Sequence, residues 1–250
     1  MTRTSFHQDL EQLQQNLLRM GSLVEEAIFN AVDSLRRQDL SLAEQVLHAD
    51  DQIDRLESEL ETECMRLFAL QQPLARDLRI IGTVLKALTD LERMGDEAAN
   101  IAEITLRVGD QPLIKPLIDI PRMAELVRAM VSKALDAFVR RDVDLAFEVR
   151  RSDTAVDTIY AALNDELIEM TMKFQSMREA NQAFLLLMAA RHLERIGDHA
   201  TNLAERVVYM VTGHVVSHQP PAVFEQAAQE SRETRENRDQ EDGRDTEPAG

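Results

Sequence analysis

The stretch that decides the fold is LERMGDEAANIAE, from Leu91 to Glu103, because it occurs a second time as LERIGDHATNLAE, from Leu193 to Glu205. Nine of the thirteen positions are identical at an offset of 102 residues, whereas chance would give about one identity. Helical patterning repeats apolar spacings, but it does not easily repeat Glu-Arg, Gly-Asp and Asn at fixed places. The sequence therefore predicts an internal duplication.

The duplication extends towards the N-terminus at an offset of 103 residues. Asp39 aligns with Asp142, and each stands three residues before a Leu-Ala pair, which is typical of a helix N-cap. The other pairs at this offset include Met20 and Met123, Leu23 and Leu126, Val24 and Val127, Asp33 and Asp136, and Val46 and Val149. The offset changes by one residue at the turn that contains Pro73, which has no counterpart. Each half is therefore predicted to be one unit of three helices.

Apolar residues recur at spacings of three and four along most of the chain, and no stretch alternates over the length of a strand, which indicates an all-α fold. The predicted helices cover about residues 5–36, 39–70, 73–108, 122–141, 142–174 and 179–212. The predicted architecture is a tandem of two three-helix bundles, at 1–110 and 122–217, joined by a proline-rich linker at 111–121.

The composition excludes several functional classes. The 250 residues carry 28 Lys+Arg against 45 Asp+Glu, a net charge of −17, which disfavours nucleic acid and anionic membranes as partners. The longest apolar run is far too short for membrane insertion, and the single cysteine, Cys64, gives no sign of an oxidising compartment, so a cytoplasmic protein is expected. The acidic tail at 218–250 has almost no large apolar residue and is predicted to be disordered.

Acidic residues continue the apolar stripes of the predicted helices. At 100° per residue, Glu92 and Asp96 fall on the same face as Ile81, Leu85 and Leu88. If the second and third helix of each half pack on these faces, four carboxylates converge in each half. The eight candidate metal ligands are Asp50, Asp54, Glu92 and Asp96 in the first cluster, and Asp153, Asp157, Glu194 and Asp198 in the second.

Clustered carboxylates repel one another, so they require neutralisation. Oxygen ligands of this kind suit magnesium, manganese, calcium or iron. A salt-bridge network is an equally strong alternative on spacing alone, with Arg76, Arg79, Arg93 and Arg195 close in sequence; protonation of one acid and plain surface acids are further alternatives.

Other candidate features are weaker. His199 points about 100° away from Asp198, which favours a surface residue that is not a ligand. Gly95 and Gly197 stand in the middle of helices, where close approach of a neighbouring helix would compensate for their low helix propensity. The sequence offers no nucleophile paired with a base, no phosphate-binding loop and no cofactor fingerprint, so it does not predict an enzyme.

Four segments together resemble the PhoU family of bacterial proteins, which act in phosphate uptake and phosphate signalling. They are MGSLVEEAI at 20–28, QQPLARDLR at 71–79, DLERMGDEAANIAE at 90–103 and RHLERIGDHATNLAE at 191–205. The resemblance covers residues 5 to about 212, in both halves and in order, whereas the acidic tail departs from the usual family pattern.

The resemblance implies a fold, a cofactor and partners. It implies pseudo-two-fold symmetry between the bundles and metal binding by the eight acids, with divalent or ferric ions (iron, manganese, magnesium or zinc) as candidates. It further implies a homodimer that negatively regulates phosphate uptake and phosphate-starvation signalling, with the phosphate ABC transporter ATPase and a sensor histidine kinase as partners. A metal-storage or redox protein, a purely structural scaffold and a regulator of a different transporter are the alternatives.

Overall fold

The computed structural model describes residues 3–71, 73 and 75–216, without the side chains of 3–5, 71, 75 and 76. Six α-helices and no strand are present in these residues. They are α1 (Arg3–Arg37), α2 (Leu40–Gln71), α3 (Ala75–Val108), α4 (Asp119–Arg140), α5 (Val143–Thr171) and α6 (Met177–Thr212). The predicted all-α class is confirmed, while the tail predicted at 218–250 lies outside the described residues.

The six helices form two bundles of three. Helix α1 packs on α2 and α3, and α4 packs on α5 and α6; the bundles meet where α3 packs on α6 and α1 on α4. The apolar stripes of the sequence are the core, and residues such as Leu17, Met20 and Val24 are fully buried together with their counterparts in the second half. Cys64 is buried as well. Among the described residues we find no helix that is long and apolar enough to cross a membrane.

The duplication is visible in the backbone at the first turn of each bundle. Gln38 and Arg141, which align at the offset of 103, both have a left-handed backbone with φ of 54°. The next residue caps the following helix: Asp39 Oδ1 accepts a hydrogen bond from the Leu42 N–H at 3.0 Å, and Asp142 Oδ1 accepts one from Leu145 at 3.1 Å. The side-chain oxygen satisfies a backbone donor that the first turn of a helix cannot pair. The predicted Asp39 N-cap is therefore confirmed.

Helices α4 and α6 begin earlier than predicted. Helix α6 begins at Met177, because Ser176 and Glu179 form a reciprocal capping box. Helix α4 begins at Asp119, with Pro121 in its first turn, where a missing N–H costs nothing. Side chains hold the linker before α4 at its start and in its middle: Gln38 donates to the carbonyl of Gly109 at 2.8 Å, and Gln182 accepts from the Ile114 N–H at 2.6 Å.

Candidate metal centre

The first acidic cluster lies where α2 packs against α3. Asp50 and Asp54 stand one turn apart on α2, and Asp96 faces them from α3. Each of these three residues offers one carboxylate oxygen, and the three oxygens lie within 4.8 Å of one another. Asp50 and Asp96 are partly buried, whereas Asp54 is exposed, so the group opens to solvent on one side. This is an oxygen-only set of the kind that hard cations prefer.

Glycine makes room for this group. A Cβ atom at Gly95 would stand 3.0 Å from Asp50 Oδ1 and 3.1 Å from the Ile53 side chain. In the second half, a Cβ atom at Gly197 would stand 3.1 Å from Asp153 Oδ1. Glycine within a helix costs about 1 kcal/mol relative to alanine, so the close approach of the aspartate is what the two glycines provide. The predicted role of both glycines is confirmed.

Burial and mutual repulsion both act on the first cluster. Burial, with the charges of Asp54 and Asp96 added to it, raises the pKa of Asp50 to about 6. Burial, followed by the charge of Asp96, raises the pKa of Glu92 to about 7. The pKa of Asp54 is raised by the same two causes. Glu57, which was not among the candidate ligands, also contributes to the repulsion at Glu92, so the negative field extends one turn further along α2.

The second cluster repeats the residues but not the full geometry. Burial, together with the charges of Asp157, Asp198 and Glu194, raises the pKa of Asp153 to about 6. The pKa values of Glu194 and Asp198 are raised as well, first by burial. Within the described part of the chain, however, only the first cluster brings three carboxylate oxygens within 4.8 Å of one another. The four acids of the second half therefore share one electrostatic environment without the same tight grouping.

Half-exposed arginines pair with acids of both clusters. Arg93 lies 3.5 Å from Glu92 and 3.3 Å from Asp96, and its side chain is half exposed. In the second half Arg191 forms an ion pair with Glu194. Three buried carboxylate oxygens of the two clusters nevertheless have no hydrogen-bond partner: Asp50 Oδ1, Asp153 Oδ1 and Glu194 Oε2. Buried oxygens of this kind are costly unless something compensates them, so the residues fit a cation better than a salt-bridge network alone.

A second set of charges lies between the two bundles, and the sequence did not reveal it. On α3, Asp90 is 4% exposed and Glu97 is 2% exposed. One arginine and one histidine from α6 face each acid. Arg206 Nε and His199 Nδ1 lie 2.5 Å and 3.2 Å from Asp90, and His192 Nδ1 and Arg195 lie 2.5 Å and 2.7 Å from Glu97. The prediction that His199 is a surface residue is wrong, because α6 turns that face towards α3.

The signal for this interface was present in the duplication. At the offset of 102, Asp90 aligns with His192 and Glu97 aligns with His199. An acid in the first half thus becomes a histidine in the second at both positions. Two helices that are related by a pseudo-two-fold axis bring position 90 of one against position 199 of the other, and position 97 against position 192. The exchange of charge at both positions is therefore a signature of contact between the halves.

The raised pKa values predict an inverted pH dependence for the metal-free protein. The pKa of Asp50 rises from 3.8 to about 6, and that of Glu92 rises from 4.5 to about 7. A carboxyl whose pKa is higher in the folded chain than in the unfolded chain stabilises the fold while it is protonated, and this stabilisation is lost as the pH rises through the folded pKa. We expect chelator-treated protein to have a higher Tm at pH 5 than at pH 8 in calorimetry.

The control for this experiment carries Asp50→Asn and Glu92→Gln, which cannot ionise. Its Tm should change less between pH 5 and pH 8 than that of the unaltered chain. The prediction would be contradicted if the Tm of the unaltered protein fell between pH 8 and pH 5 and the Tm of the variant fell by the same amount.

Known proteins resemble the chain along most of its length. The family model of the PhoU domain matches the sequence twice, at residues 17–105 and 120–207. A protein of Clostridium acetobutylicum called phosphate-specific transport system accessory protein PhoU homolog is 40% identical over 217 residues, which are 86% of this chain and 98% of that protein. A protein of Aquifex aeolicus with the same description is 42% identical over 211 residues, 84% of this chain and 95% of that one.

Solved structures agree with the sequence matches. The crystal structure of PhoU from Pseudomonas aeruginosa is 40% identical, covers 84% of this chain and all of that one, and superposes with a TM-score of 0.79. The structure of the phosphate transport system regulatory protein PhoU from Streptococcus pneumoniae is 32% identical, covers 85% of this chain and 99% of that one, and gives a TM-score of 0.78. With the family domain present in both halves and the fold shared over 84% of its length, the chain belongs to the PhoU family.

Proposed function

We propose that the chain is an accessory protein of a phosphate-specific transport system and negatively regulates phosphate uptake and phosphate-starvation signalling. The observation that supports this best is the similarity along 86% of the chain to a protein described as an accessory of that system. A second relative of known structure is described as a regulatory protein of phosphate transport. The proposed partners are the ATPase of the phosphate ABC transporter and a sensor histidine kinase in the cytoplasm, which the protein would meet as a homodimer.

The two acidic clusters are proposed to hold divalent or ferric ions, with iron, manganese, magnesium and zinc as candidates. A bound cation would supply the positive charge that the three grouped oxygens of Asp50, Asp54 and Asp96 lack. These residues would hold the ion between α2 and α3, and Gly95 would keep Asp50 within reach of it. Zinc is the least suited of the four, because structural zinc sites use mainly cysteine and histidine. The proposed role of the ion is to hold the helices together.

The proposed role is regulation and not catalysis. Besides carboxylates and arginines, the described residues around the second cluster include Thr154, Thr201, Asn202 and His199. The Thr201 hydroxyl has no hydrogen-bond partner and the His199 ring contacts Asp90, so the two do not form a nucleophile paired with a base. The long helices instead present extended side-chain surfaces on two related halves, which suit the docking of partner proteins.

Deletion of the gene tests the regulatory role. Without a negative regulator, phosphate-starvation genes should be expressed and phosphate should accumulate even in phosphate-rich medium. The measurements are reporter expression and uptake of labelled phosphate in the deletion strain and in the same strain that carries the gene on a plasmid. Wild-type expression and uptake in the deletion strain would reject the phosphate role and favour the scaffold or the regulator of a different transporter.

Affinity capture separates these alternatives further. The tagged full chain, recovered from phosphate-replete cells, should carry the ATPase of the phosphate transporter with it. Capture of the ATPase of another transporter in its place would identify a paralogous regulator.

A further inference from the structure

A cavity of about 470 Å³ lies on the first bundle, beside its contact with α6 and apart from both acidic clusters. Its walls come from the end of α2, the first half of α3, the last turns of α6 and the residues that follow α6. Phe68, Leu78 and Tyr209 give it an apolar interior. A volume in this range is ordinary for a small-molecule site.

Positive charge is concentrated in this cavity although the chain as a whole has a net charge of −17. Arg79, Lys86 and Arg206 line it, against one acid, Glu205, which lies 3.8 Å from Arg150. The two arginines are held by their Nε atoms: Arg79 donates to the carbonyl of Met210 at 3.2 Å, and Arg206 donates to Asp90 at 2.5 Å. Fixed guanidinium groups of this kind suit phosphate and carboxylate ligands.

A buried hydroxyl points to a ligand independently of these charges. Thr83 lines the cavity and is 1% exposed, and its Oγ1 has no hydrogen-bond partner. Threonines elsewhere in these helices bond the carbonyl four residues earlier, as Thr158 does at 2.7 Å and Thr212 at 2.8 Å. A buried hydroxyl without a partner is costly, so the unsatisfied Oγ1 of Thr83 is a group that a ligand would satisfy.

The duplication shows that the cavity is specific to the first half. At the offset of 102, Gly82 aligns with Phe184, and a Cβ atom at Gly82 would meet nothing within 4 Å. The polar lining is exchanged as well: the second half has Asn181 in place of Arg79, Leu185 in place of Thr83, and Met188 in place of Lys86. The pseudo-symmetry of the two bundles is therefore broken in size, charge and hydrogen-bonding capacity at one place.

We propose that this cavity binds a small organic anion that joins a phosphate or carboxylate group to an apolar body. Arg79 and Lys86 would bind the anionic group, and Thr83 would donate its hydroxyl to it. Arg206, whose charge Asp90 offsets, would add a further hydrogen-bond donor. The apolar body would pack between Phe68 and Tyr209. The cavity contains none of the eight candidate metal ligands, so its test does not depend on the metal proposal.

Titration calorimetry of the full chain with 1-naphthyl phosphate tests the site. We expect saturable binding at one site, and binding of the neutral 1-naphthol that is about tenfold weaker or worse, because hydrogen bonds to a charged group are roughly twice as strong as neutral ones. Inorganic phosphate should also bind less tightly, since it lacks the apolar body. Equal affinity for 1-naphthol, or for inorganic phosphate, would overturn the proposal.

Two substitutions locate the binding. Gly82→Phe copies the second half, fills the open space without meeting a protein atom at its Cβ, and should abolish binding. Lys86→Gln removes one exposed charge and should weaken binding about tenfold. The controls are Phe184→Gly, the reverse exchange at the equivalent position of the second half, and Lys173→Gln, the same change at an exposed lysine outside the cavity; both should leave the affinity unchanged. Unchanged affinity in Gly82→Phe or in Lys86→Gln would show that the ligand binds elsewhere and would reject the site.

Discussion

Alanine at both Asp96 and Asp198 should leave the purified protein with little bound metal. Each substitution removes a carboxylate that α3 or α6 contributes to its cluster, and in the first cluster it removes one of the three grouped oxygens. Loss of a group that merely orients a ligand costs about 10- to 100-fold in metal affinity, so loss of the ligand itself should cost at least about 100-fold. Elemental analysis after reconstitution with manganese or iron measures the remaining metal.

The matched control is Asp51→Ala, which removes the same charge from an exposed neighbour of Asp50. Its metal content should equal that of the unaltered chain. The melting temperature of the metal-free double variant provides a second measurement, because removal of a like charge beside Asp50 and Asp54 relieves repulsion and should raise it. Unchanged metal content in the double variant would show that the ligands are assigned wrongly. If the melting temperature then rose while the metal content stayed the same, the clusters would be groups of mutually repelling acids and not metal sites.

Replacing Glu97 with alanine should lower the free energy of unfolding by about 3 kcal/mol. Glu97 is 2% exposed and accepts contacts from His192 at 2.5 Å and Arg195 at 2.7 Å. The substitution leaves a cavity between α3 and α6 and removes the carboxylate that pairs with Arg195 and contacts the His192 ring. Chemical denaturation of the full chain, monitored by circular dichroism, measures the loss.

Glu103→Ala serves as the control, because it removes an exposed glutamate from the same helix. Its effect should remain within about 0.5 kcal/mol. A loss below about 1 kcal/mol in Glu97→Ala would show that the buried ion pairs between the bundles contribute little net stability.

Much of the fold could be predicted because the duplication constrains it twice. A pattern that occurs once, such as an aspartate before Leu-Ala, is weak evidence for a cap, but Asp39 and Asp142 occupy equivalent places and both cap a helix. The start of α6 at Met177 was missed by two residues, because the prediction followed apolar spacing alone; Ser176 and Glu179 have the spacing of a capping box, which the sequence already shows.

The prediction of the acidic clusters was limited because helical projection treats each helix in isolation. Projection at 100° per residue places Glu92 and Asp96 correctly on the packed side of α3, because they follow its apolar stripe. The same projection treats His199 as a surface residue, since it contains no information about the helix that packs on the opposite side. The unequal grouping of the two clusters also escaped prediction, because it depends on side-chain positions that two nearly identical sequences do not distinguish.

Because the first bundle has acids where the second has histidines, each bundle pairs better with the other than with a copy of itself. Were two copies of the first bundle to pair through α3, Asp90 of one copy would face Glu97 of the other, and Ile104 would stand where Arg206 now neutralises Asp90. Two copies of the second bundle would place His192 against His199. Pairing of two identical bundles is thus disfavoured, and pairing of the first bundle with the second is favoured. The two halves of the chain are therefore complementary, and neither can substitute for the other.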